Sequence, residues 1–111
     1  MRLVSALRHL EMPLERARGR LEPTKILSFA RSPSARVRAA TARILGYFRA
    51  SQVQQILQTL IHDLEAEVRI QAVEALVRVI GVQNAAAALA GARDDVLVHF
   101  IELIEFAQED A

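Results

Sequence analysis

One helix-start signal recurs along the chain, in Ser32-Pro33-Ser34-Ala35-Arg36-Val37-Arg38, Asp63-Leu64-Glu65-Ala66-Glu67-Val68-Arg69 and Asp94-Asp95-Val96-Leu97. Ser32, Asp63 and Asp94 stand 31 positions apart. Self-similarity at this interval confines a chain to tandem helical hairpins, because one hairpin is too thin to cover its own apolar face and buries it only against the next. Read as caps, the three residues set the second helix of each hairpin at about 33–48, 64–80 and 95–108, since Ser and Asp oxygens accept from the free amides of a first turn. Pro33 suits a first helical position, where its missing N–H costs nothing. Ala39, Ile70 and Ile101 occupy the seventh position after the cap, Ala42, Val73 and Ile104 the tenth, and Leu45, Leu76 and Ala107 the thirteenth. With Ala35, Ala66 and Leu97 at the third, these steps trace one helical face, the expected core stripe.

The first helices precede these. Val53, Ile56, Leu57, Leu60 and Ile61 fall at helical spacing after Ser51, Ile26, Leu27 and Ala30 follow Pro23, and an Ala-rich run, 85–89, follows Gly81. Leu3, Val4, Leu7 and Leu10 mark a further amphipathic helix, ended near Pro13. The expected organisation is a single domain over 1–111: an N-terminal helix at 1–12, a basic connector at 13–22, and repeats at 23–48, 51–80 and 82–109. The fold class is all-α, a right-handed α-solenoid of three hairpins behind an N-terminal helix.

The stretches Val37-Arg38-Ala39-Ala40 through Gly46 and Asp63 through Leu76 resemble the second-helix signature of the HEAT-like repeats, with an aspartate at the hairpin turn, then Val-Arg, then a small-residue, Leu-rich helix. The resemblance covers about residues 23–109. It implies a hydrogen-bonded ladder between turn aspartates and helix arginines, with Asp63 a rung for Arg38 and Asp94 a rung for Arg69. Ser32 replaces the aspartate in the first copy, and His99-Phe100 replace Val-Arg in the last, so the ladder is expected to stop at both ends. By resemblance such a chain is a scaffold or adaptor, and in some members a lyase or a nucleic-acid reader.

Composition narrows the function further. The chain of 111 residues is 52% hydrophobic with four Gly and three Pro, the profile of a packed helical protein. It has no Cys, which excludes disulfides and thiolate metal sites and agrees with a reducing compartment. No apolar run approaches the ~18 residues of a membrane span, and Arg2, Arg8, His9 and Glu11 interrupt the start of the chain where a secretory signal needs an apolar core, so a cytoplasmic location is expected. The net charge of +1 conceals two opposed halves. Residues 1–50 hold eleven basic side chains against three acidic ones, and residues 51–111 three against ten. In a linear stack, sequence order is spatial order, so one end is expected to be basic and the other acidic.

The basic half offers Arg16, Arg18, Arg20 and Lys25 as phosphate contacts for a nucleic acid, the alternative to a protein partner. Arg36 and Arg43 lie two turns apart, and one repeat further on the same positions hold Glu67 and Glu74, which favours pairing between stacked helices. Aromatic platforms for bases are few, with no Trp. His9, His62 and His99 lack the spacing of a helical zinc site, and Glu102, Glu105 and Glu109 form a stripe that a solvated face explains better than acid–base chemistry. No phosphate loop or nucleophile arrangement is present, so no enzyme activity, metal or cofactor is expected. The last helix is apolar over a broad arc, with Val98 and Phe106 beside the glutamates. The expected function is non-catalytic protein–protein recognition through Arg36, Arg43, Glu67, Glu74, Val98, Glu102, Glu105 and Phe106, with self-association through the last helix or service as a non-catalytic subunit of an enzyme complex as further readings.

Overall fold

The computed structural model describes residues 23–49 and 51–109. All regular structure among them is helical: α1 (Pro23–Ser28) running into a 3-10 turn (Phe29–Arg31), α2 (Ala35–Leu45), α3 (Ser51–Leu60), α4 (Ala66–Ala88) and α5 (Asp94–Glu109). The expected helix at 1–12 and the basic connector at 13–22 lie outside the described residues.

The first two of the second helices, α2 and α4, start two residues later than the cap spacing predicts, while α5 starts one residue earlier, at Asp94. The Ser32 hydroxyl accepts from the Ser34 amide at 3.1 Å, and the Asp63 carboxylate accepts from the Glu65 amide at 3.0 Å. Both residues therefore close the turn ahead of the helix, two positions on, as Ser and Asp do in such turns. The cap of α2 is Ser34, whose hydroxyl accepts from the Val37 amide at 3.4 Å. Pro33 consequently sits in the turn, outside the helix.

Gly81 divides α4. Its φ of 83° and ψ of 165° belong to a region reserved for glycine, and the chain passes directly from one arm, 66–80, to a second, 82–88. The second arm is the first helix of the third hairpin, joined without a loop. At the break the Asn84 side-chain amide donates to the Ile80 carbonyl at 2.9 Å.

One apolar cluster runs through all the described helices. α2 lies at its centre, against α1, the 3-10 turn, α3 and above all α4, while α5 packs on α4. Ala42, Ile44 and Leu45 of α2, Val53 and Leu57 of α3, and Val68, Ala72, Val73 and Leu76 of α4 are fully enclosed. Buried Thr41 is satisfied by its own helix, its hydroxyl donating to the Val37 carbonyl at 2.6 Å. At the end of α2 a Cβ on Gly46 would stand 3.0 Å from the Ala75 Cβ, so glycine there sets how closely α2 and α4 approach.

The expected stripe needs correction at its ends. Ala66 is exposed, and in α5 the residues Leu97, Ile101 and Ala107 are exposed while Val96 and Phe100 are buried. Phe100, not His99, takes the place of Val37 and Val68, which makes the last step 32 residues.

Candidate recognition ridge

The second helices are locked together by two arginines with the same construction. Arg38 forks onto Asp63, Nε to Oδ2 at 2.9 Å and Nη2 to Oδ1 at 3.1 Å, while Nη1 donates to the Ser32 carbonyl at 2.8 Å. Arg69 repeats the pattern one hairpin later, with Nη2 to Asp95 Oδ2 at 2.6 Å, Nε to the same carboxylate, and Nη1 to the Asp63 carbonyl at 2.8 Å. Each guanidinium thus ties the turn of its own repeat to the turn of the next. The partner of Arg69 is Asp95, not the Asp94 that the 31-residue spacing names, because the last repeat steps by 32 residues, as the burial of Phe100 in the place of Val68 also shows.

Burial alone would raise the pKa of Asp63, yet the Arg38 fork, the Glu65 amide and the charges of Arg38 and Arg69 outweigh it and hold the carboxyl below its usual range. Asp95 is held down mainly by its bond to Arg69. These four residues are occupied with the stack itself. The ladder ends at Ser32, which brings a carbonyl but no carboxylate, and at Ile101, which occupies the position of Arg38 and Arg69.

Outside the ladder the second helices present a polar ridge. With steps of 31 and 32 residues, Arg36, Glu67 and His99 fall in one row, and Arg43, Glu74 and Phe106 in the next. Arg36 and Glu67 are both exposed and no ion pair joins them; in water such a pair gains too little to order two long side chains. Arg43 and Glu74 line a common shallow cleft with Gln71, Ala75 and Arg78. The Glu74 carboxylate lies 2.7 Å from His99 Nε2, whose other nitrogen is 3.6 Å from Glu102. His99 therefore joins α4 to α5 along the ridge, a role its sequence position did not signal. At the end of α2 the Arg78 guanidinium stacks on Tyr47, 4.2 Å from the ring centre.

The other expected residues lie apart from that ridge. Val98 and Glu105 are two turns apart and point away from the buried Phe100, so they face the end of the stack with Ile101. Val98, Ile101 and Phe106 are 54%, 53% and 66% exposed. Lys25 is exposed on α1, and Arg16, Arg18 and Arg20 lie outside the described residues. A second cleft of about 330 Å³, lined by Gln54, Gln58, Ile80, Asn84, Ala87 and Ala88, opens on the side of the first helices, between α3 and the second arm of α4. Among the described residues, no three His, Asp or Glu side chains gather as a metal-holding group, and no helix is long and apolar enough to cross a membrane.

Compared with known proteins, residues 23–98 match the family model of the HEAT repeats. No curated protein and no solved structure matches the chain.

Proposed function

The chain belongs to the HEAT repeat family, and we propose that it is a non-catalytic adaptor that recognises another protein through the ridge of its stacked second helices and through α5. HEAT repeats commonly mediate protein–protein interaction. The observation that carries the reading is a division of labour among the charged residues. Arg38, Asp63, Arg69 and Asp95 bind the stack together, while Arg36 and Glu67 stand exposed beside one another with no ion pair between them. A row of exposed charges of both signs on a rigid frame suits a partner with complementary charges, because the fold already fixes the backbone that carries them. A cytoplasmic setting belongs to the same proposal.

The nucleic-acid reading draws on the basic half of the chain. It is weakened by the engagement of Arg38, one of the arginines of that half, with Asp63. Two measurements separate the readings. Titration with labelled duplex DNA and single-stranded RNA at low and near-physiological salt is expected to show no binding. Steeply salt-dependent micromolar binding, abolished by Arg16→Glu with Arg18→Glu, would overturn the adaptor reading. Affinity capture is expected to recover a protein with the native chain and to lose it with Arg36→Glu and Glu67→Arg, substitutions at exposed positions that leave the fold intact.

A further inference from the structure

We propose that the end face of α5 receives an amphipathic helix of another protein, one whose apolar stripe is flanked by Lys or Arg. The inference rests on the protein-recognition reading and gives the partner a chemistry. Val98 and Ile101 lie exposed on the side of α5 away from the buried Val96 and Phe100, with Leu97 exposed at its edge. Asp94, Glu102 and Glu105 are exposed on that same side, and α5 contains no Lys or Arg. The face is thus an apolar strip set among carboxylates with no Lys or Arg on their own helix, the one basic contact there being His99, 3.6 Å from Glu102.

Asp94, Glu102 and Glu105 share one side of the helix with no Lys or Arg among them, and cations brought by a partner relieve the repulsion among these carboxylates. An apolar strip at helical spacing takes up the stripe of a second helix as i, i+3, i+4 anchors.

The same residues argue against two other occupants. A second copy seated α5 on α5 would set Asp94, Glu102 and Glu105 against themselves. A further repeat of the same kind would bring a turn aspartate to Ile101, where Arg38 and Arg69 stand in the repeats before it, and leave that carboxylate without its guanidinium.

The test uses two labelled synthetic peptides of about 18 residues, five helical turns, that share one leucine stripe flanked either by Lys or by Glu. Each is titrated against the full chain, with circular dichroism verifying that every variant keeps its helix content and melting transition. The Lys-flanked peptide is expected to bind at least about tenfold more tightly, with a preference that shrinks as salt is raised. Ile101→Glu is expected to abolish binding, and Glu102→Lys with Glu105→Lys to transfer the preference to the Glu-flanked peptide. Equal binding of the two peptides, or binding indifferent to Ile101→Glu, overturns the inference. So does a chain that sediments as a dimer split by Ile101→Glu, since a second copy then covers the face. If neither peptide binds while Arg36→Glu with Glu67→Arg still loses a captured protein, the inference falls and the adaptor reading stands.

Discussion

Arginine is required at position 38 for its shape as well as its charge. Three of its donors are used, two on Asp63 and one on the Ser32 carbonyl, in a planar arrangement that an ammonium cannot reproduce. Arg38→Lys is expected to destabilise the protein by about 1–2 kcal/mol while keeping the charge, measured by urea denaturation. Asp63 makes the same contact sensitive to acid. Its carboxyl is held below the unfolded value, so its contribution is fully present above about pH 4 and disappears as pH falls through the folded value. Asp63→Asn is therefore expected to lower stability at pH 7 by about 2 kcal/mol, with the gap to the native chain narrowing as pH falls through the lowered pKa of Asp63. A gap of constant size across that range would show that the carboxylate is not what links the two turns.

Among the elements, the two demanding places are the elbow of α4 and the crossing of α2 with α4. A Cβ at Gly81 meets nothing within 4 Å, so the cost of Gly81→Ala is purely conformational, about 1–3 kcal/mol. Hydrogen exchange is expected to place the loss in 82–109 more than in α2 and α3. Gly46→Ala fails for the opposite reason, because its Cβ would press on Ala75 at 3.0 Å. It should cost about 1–3 kcal/mol, and adding Ala75→Gly should recover part of that, a coupling that a double-mutant cycle detects. The helices, their pairing in hairpins and the interior of α2 and α4 were legible in the sequence, since periodicity and turn residues are local signals. Helix starts were not: Ser32 and Asp63 satisfy the amide two positions on, a choice that spacing alone does not distinguish from capping. The last register was hidden by Asp94-Asp95, two adjacent carboxylates of which only geometry selects the one that Arg69 reaches. His99 gave no signal because its bond to Glu74 joins residues on different helices.

For the whole molecule, the two guanidinium forks distribute cohesion along the stack. Arg69 ties the second repeat to the third, together with the His99–Glu74 contact and the apolar contact of α5 with α4. Arg69→Met is expected to raise amide exchange in α5 at least about tenfold while α2 and α3 stay protected, since a stack of repeats loses stability at the interface that is weakened. Uniform acceleration across all helices would mean that the three repeats unfold as one unit. The charge division also assigns tasks: the arginines of the ladder hold the frame, and the exposed residues of the ridge and of α5 are free to change without disturbing it. The ends of the ladder have one more consequence, for growth by duplication. Among the three repeats, only the second carries both a turn carboxylate and a ladder guanidinium, Asp63 and Arg69. A longer descendant that copies this middle unit in place keeps every rung matched, whereas copying the first repeat would add an arginine facing a serine. The described stack is thus extensible from its middle.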